Sequence, residues 1–166
     1  MISADVDAFR YYLRVRYAEC DAQKVVFNSR YAEYVDVGVN EFLRAAGVHA
    51  QFVDGPIDFQ LVKQTIEWNG PARFDDVLEL SIVPVRLGQT SFTIRTDFRI
   101  AGAAAAIVTV ETVHVLVDAK SLSKTAIPDP IRSALSEGAA GRATDHAAYK
   151  ELVPRAESGN NRRQPM

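Results

Sequence analysis

Hydrophobic and polar residues alternate from Phe9 to Tyr17. Phe9, Tyr11, Leu13, Val15 and Tyr17 fall on one side of an extended chain, and Arg10, Arg14 and Arg16 on the other. That predicts a strand with one buried face. Tyr12 interrupts the polar side without overturning the pattern. From Asn28 the period changes. Tyr31, Tyr34, Val35, Gly38, Val39, Phe42, Leu43 and Ala46 recur at steps of three and four, the stripe of an amphipathic helix. The side chain of Asn28 or Ser29 is placed to cap its first turn, and Gly47 to end it in a left-handed conformation. Gly38 lies mid-helix, where glycine costs about 1 kcal/mol relative to alanine. The expectation is that the helix packs closely against its neighbour there.

Beyond the loop "HAQFVDGPIDF" the period returns to two. Strands are predicted in "LVKQTIEW", "VLELSIVPVRL", "SFTIRTDFRI" and "AIVTVETVHVLVD". Pro84 has no N–H to give a ladder, so its strand should be bulged or interrupted there. Short connections through "LGQT" and "AGAA" predict antiparallel neighbours. "IPDPIRSAL" predicts a short closing helix with Pro130 in its first turn. The stretch beyond Glu137 is small, polar and Gly-containing. A weak helix is expected from His146 to Leu152, and mobility over the last ten residues. One long helix followed by strands means α+β, with a mostly antiparallel sheet of about five strands wrapped round the helix. The expected division is a domain over residues 1–136 and a partly mobile tail over 137–166. An open, apolar sheet with free edges predicts a homodimer or homotetramer.

Composition narrows the function classes. A chain of 166 residues suits one domain, long enough to build a core without metal or disulfide. Net charge is −2 with no basic block, which argues against nucleic acid. No run of ~18 apolar residues offers a membrane span. The N-terminus lacks the apolar stretch of a signal peptide, so the cytosol is expected. The single cysteine, Cys20, has no internal disulfide partner.

The change of period falls within "YAECDAQKVVFNSRY", and Asp21 lies at that seam. Asp is common in turns, so one reading of Asp21 is an ordinary turn residue or cap. The wider segment "YAECDAQKVVFNSRYAEYVD" resembles the motif of the 4-hydroxybenzoyl-CoA thioesterase family of hotdog-fold enzymes. Asp21, Val25, Val26, Phe27, Asn28, Arg30 and Tyr31 occupy the motif's places. The similarity continues through "GPARFDDVLEL", "GQTSFTI" and "VDAKSLSKTAIP". Many members have a glycine two or three residues after the aspartate, where this chain has Gln23 and Lys24.

The resemblance implies an acyl-CoA substrate, no further cofactor, and hydrolysis of its thioester. It puts Asp21 in the place of nucleophile or general base and the backbone N–H of Asn28 in that of oxyanion donor. Val26, Phe27 and Tyr31 are the candidate substrate-binding residues. The chemistry is coherent. A helix's first turn has free N–H groups and the positive dipole end, suited to charge developing on a carbonyl oxygen. A carboxylate can attack a thioester or activate water. A non-catalytic acyl-CoA-binding protein and an acyl carrier protein thioesterase are the alternatives. Glu19 is expected at the surface or as a minor electrostatic neighbour of the site, and Cys20 as a buried, inert thiol. His114 is expected to be packed or hydrogen-bonded, because no second ligand stands at metal spacing. His49 and His146 fall in loop and tail. Lys63, Arg86, Arg95 and Arg99 are candidates for CoA phosphates, although such charges usually serve only a solvated face.

Overall fold

The computed structural model describes residues 7–152 of the chain. The expected mobile end lies outside the described residues. Strand β1 (Phe9–Arg14) is followed by a 3-10 turn (Tyr17–Glu19) and the long helix α1 (Arg30–Ala45). A one-turn helix α2 (His49–Val53) leads to β2 (Ile57–Trp68), β3 (Val77–Leu87), β4 (Ser91–Ile100) and β5 (Val108–Asp118). The chain closes with α3 (Asp129–Glu137), β6 (Ala143–Asp145) and α4 (Tyr149–Leu152).

All strands form one sheet in the order β2-β5-β4-β3-β1-β6. Every pairing is antiparallel except β1 with β6. The register of β3 on β4 shifts between Pro84 and Arg86, as the missing proline N–H requires. Helix α1 buries Tyr31, Tyr34, Val35, Gly38, Val39, Phe42 and Leu43, the stripe its spacing predicts. Gly38 is a point of close approach. A Cβ there would lie 2.9 Å from Ile82 Cδ1 and 3.2 Å from Leu80 Cδ2, both on β3. Gly47 ends the helix at φ 79°. Its N–H donates to Arg44 O and that of Val48 to Leu43 O, satisfying the last carbonyls.

Three expectations change. The sheet has six strands rather than five, because Ala143–Asp145 from the expected tail pairs in parallel with Arg10–Tyr12. Tyr149, just beyond that segment, and Glu79 on β3 account for Tyr12 on β1's polar side. Tyr12 stacks on Tyr149 at 5.3 Å and donates its hydroxyl to Glu79 at 2.9 Å. Tyr17 is 81% exposed instead of buried. The 3-10 turn ends the alternation and swings it out, while Val15 stays in the core. Ser29, at the N-cap of α1, has helical φ/ψ and makes no capping hydrogen bond. A side-chain cap needs the extended conformation it lacks.

Candidate functional site

The segment at the seam is a hairpin that folds back before the helix begins. Cys20 and Val26 form an antiparallel bridge, Phe27 N–H donates to Glu19 O at 2.9 Å, and Asp21 N–H donates to Val25 O at 2.9 Å. Val26 N–H reaches Ala72 O at 2.8 Å, which ties the returning arm to the loop after β2. Asp21 thus stands at the closed end and Asn28 one residue past the open end.

Glu19 is buried at 4% exposure, against the expectation of a surface residue. Its carboxylate accepts the Arg16 N–H at 2.7 Å, the Arg16 guanidinium at 2.8 and 2.6 Å, and the Tyr34 hydroxyl at 2.7 Å. Burial alone would raise its pKa. The hydrogen bonds from Arg16 and Tyr34 and the guanidinium charge outweigh that and hold the carboxyl below its ordinary value. Tyr34 responds in the opposite sense, with its hydroxyl pKa raised by burial and by Glu19. The cluster joins the turn after β1 to α1 and fixes the frame from which Asp21 projects. Arg16-x-x-Glu19, a capping-box spacing, was the available signal, but the Tyr34 partner fifteen residues on was not legible.

Asp21 is half-buried. Its Oδ1 accepts the N–H of Gln23 at 2.8 Å and of Val25 at 3.4 Å. Its backbone carbonyl accepts Lys24 N–H at 2.9 Å. One carboxylate oxygen therefore closes the turn, and Oδ2 has no hydrogen-bond partner among the described residues. Lys24 has φ 64°. The left-handed conformation that glycine adopts readily is kept here by a lysine, at the steric cost of a Cβ.

Asn28 and Ser29 are exposed at the start of α1. The Asn28 N–H has no hydrogen-bond partner among the described residues, and it makes no hydrogen bond to Asp21. Val26 and Tyr31 belong to the core at 5% and 2% exposure. Tyr31 packs edge-on against Phe98 and Tyr34. Phe27 is exposed, as are Tyr17 and Phe74, whose rings meet edge-on at 5.9 Å. This end of the molecule is therefore both polar and aromatic.

Cys20 is half-buried, and its thiol pKa is raised by burial and by Asp21, Glu19 and Asp76, which suits an inert thiol. His114 is buried and donates or accepts through Nε2 with Thr112 Oγ1 at 3.0 Å. Burial pushes its pKa down to about 4. Arg95 pairs with Asp97 at 3.2 Å, and Arg99 donates to Ser81 Oγ and Ala104 O. Lys63 and Arg86 are exposed. Among the described residues no group of three His, Cys, Asp or Glu is arranged to hold a metal ion. No described helix is long and apolar enough to cross a membrane.

Comparison with known proteins bears on this geometry. The model of the thioesterase-like superfamily matches residues 15–135. A 1,4-dihydroxy-2-naphthoyl-CoA hydrolase of Nostoc punctiforme is 27% identical over 75% of this chain and 84% of its own. The acyl-CoA thioester hydrolase YbgC of Escherichia coli O6:H1 is 30% identical over 74% of this chain and 92% of its own. The crystal structure of a 1,4-dihydroxy-2-naphthoyl-CoA thioesterase from Synechocystis superposes with a TM-score of 0.71. It covers 78% of this chain and 96% of its own at 20% identity, a likeness of fold.

Proposed function

The chain belongs to the thioesterase-like superfamily, and from that premise we propose that it is a cytosolic acyl-CoA thioesterase of the 4-hydroxybenzoyl-CoA thioesterase type. It takes R–CO–S–CoA and water to the free acid and CoA. The observation that carries the reading is a carboxylate with one unengaged oxygen on the hairpin leading into an uncapped helix N-terminus. Asp21 is the nucleophile or the general base. As nucleophile it adds to the carbonyl carbon, expels the CoA thiolate and leaves a mixed anhydride that water opens. As base it takes a proton from water, whose hydroxide adds to the same carbon before the thiolate leaves. In either route negative charge grows on the carbonyl oxygen, and the Asn28 N–H and the α1 dipole oppose it at no reorganisation cost. Exposed Phe27 offers apolar surface to the substrate, while Val26 and Tyr31 support that wall from the core.

The protein works as a homodimer or homotetramer. Strand β2 supports this: it ends the sheet, pairs with β5 alone, and exposes Leu61, Val62 and Trp68. An edge strand of twelve residues with exposed apolar side chains is a pairing surface for a second copy. A thiol-release assay over acyl-CoA thioesters of varied length and ring content tests the function. Hydrolysis that Asp21→Asn abolishes supports it; binding without hydrolysis by the wild type gives the non-catalytic alternative. Single turnover in ¹⁸O-water with hydroxylamine trapping separates the two routes: label in Asp21, from water adding at its Cγ, or a hydroxamate formed at Asp21 marks the anhydride of the nucleophilic route, whereas the general-base route gives neither and labels only the product acid.

A further inference from the structure

Strands β2 and β6 end the sheet, and its two edges are finished differently. Strand β2 is long and carries exposed apolar side chains. At the other end β1 would be the edge, but residues past 135, where the family match stops, lie along it. Only three residues pair there: Ala143 with Arg10, Thr144 with Tyr11 and Asp145 with Tyr12. Arg10 N–H donates to Arg142 O at 3.1 Å, and His146 N–H to Tyr12 O at 3.0 Å. Thr144, between those bonds, turns its N–H and C=O toward Arg10 and Tyr12, as a parallel ladder requires.

Three parallel pairs are a weak hold, and side chains add to it. Neighbouring residues of a strand face opposite sides, and this segment reaches both. On the side of α1, His146 Nδ1 lies 3.1 Å from the Tyr11 hydroxyl, with the rings edge-on at 5.3 Å. On the far side Tyr149 stacks on Tyr12 at 5.3 Å. The Asp145 carboxylate accepts the N–H groups of Ala147, Tyr149 and Lys150 at 2.9, 3.2 and 3.0 Å, which fixes the turn between the two ring contacts. Arg14 Nη2 donates to Ala147 O at 3.2 Å. Without the segment, the outward N–H and C=O groups of Arg10 and Tyr12 would be unpaired, beside Tyr11, Tyr12 and Leu13, all now buried. The arginines would not guard that edge by repulsion, because Arg10 pairs with Glu79 and Arg14 with Asp75.

We infer that residues 143–149 are a strap that fills the outer edge of β1 in place of a second copy of this chain, and so confines edge pairing between copies to β2. The reason lies in symmetry. A twofold contact through one edge closes at two copies, whereas a protomer with two free edges adds copies at both and never closes. The inference rests on the homo-oligomer reading only for which edge the wild type uses.

Two full-length variants test it. Thr144→Pro removes the central N–H of the strap, and His146→Ser combined with Tyr149→Ser removes both ring contacts. Hydrogen exchange at the Tyr12 N–H reports whether the strap has opened. Wild-type mass by light scattering should stay constant across the micromolar range. In an opened variant the weight-average mass should rise with concentration to ~2-fold that of the wild type or more, since each new edge contact joins whole assemblies. An excess of the peptide GRATDHAAYK, residues 141–150, should return the mass to the wild-type value by refilling the edge. Opening without growth overturns the inference, and so does growth that the peptide leaves in place, which is misfolding. No opening in either variant also overturns it, since the contacts described would not be what seats the strap. Loss of the fold in both does the same, because the segment would then be core and not a cover. Where only Thr144→Pro fails to fold, the ring variant decides. A monomeric wild type refutes the homo-oligomer reading by itself. The strap is then still judged, because opened β1 edges should join monomers into dimers that the peptide dissolves, and their absence overturns it.

Discussion

Glu19 and Asp21 lie two residues apart on one arm of the same hairpin, and the fold treats them oppositely. Both oxygens of Glu19 are engaged, with an ion pair, two backbone or hydroxyl donors and burial around them. Asp21 gives one oxygen to its own turn and keeps the other open. A carboxylate satisfied on all sides has no lone pair to offer a substrate and contributes stability. A half-engaged one is oriented by its bonds and still able to react. The comparison gives the first a structural part and leaves the second open for the chemistry proposed for it, although by residue type and loop position they look alike.

The largest effect should come from Glu19→Ala. It strands the buried Tyr34 hydroxyl and the Arg16 N–H, and urea unfolding should show a loss of about 3 kcal/mol. A stable Glu19→Ala protein would mean that the cluster does not hold the hairpin to α1. Asp21→Asn should do the reverse. Stability should change by less than about 1 kcal/mol, since the amide oxygen can still accept from Gln23 and Val25. Thioester turnover should fall ~10²-fold or more, about 2.7 kcal/mol in the barrier. Wild-type turnover by Asp21→Asn would reduce Asp21 to a turn residue.

Smaller effects sharpen the contrast. Lys24→Val places a β-branched side chain at φ 64° and should cost about 1–2 kcal/mol, whereas Lys24→Gly should be neutral or slightly stabilising. Activity that follows those stabilities would show that the turn sets the aim of Asp21. The pH dependence of stability separates the carboxylates further. Glu19 has a pKa below its unfolded value near 4.5, so its stabilisation is complete above that value and is lost as pH falls through the lower folded one. Glu19→Gln should therefore give a shallower acid limb in denaturant titrations below pH 4.5, and an unchanged limb would count against the ion cluster. The smallest change is expected from Asn28→Ala. With no capping bond to lose at this helix start, melting should shift by no more than about 0.5 kcal/mol of stability. Appreciable activity should remain, because the proposed donor is the backbone N–H.

The local patterns were legible because they depend on near neighbours. Alternation gave β1, although it carried the pattern on to Tyr17, and steps of three and four gave the buried stripe of α1. Pro84 announced its bulge, and Gly38 the tight approach to β3. Asp21, Asn28, Val26, Phe27 and Tyr31 could be nominated from their order along the chain. Their separation into two core residues, one exposed ring, one hairpin tip and one exposed residue at the helix start could not, because each depends on what packs against it. Glu19 shows the limit most plainly: next to exposed residues in sequence, it is buried only because Tyr34 closes over it from α1.

The sequence by itself determined the element types, the α+β class and the seam at which the proposed site lies, since two-residue and 3.6-residue periods are properties of the chain's own geometry. Tertiary structure alone decided that residues 143–145 complete the sheet beside β1. It also decided that Glu19 is locked and Asp21 open, and that His114 is buried among aromatic rings. Those outcomes join residues from fifteen to more than a hundred positions apart, and no local period encodes which long-range partner arrives to bury a group or leave it free.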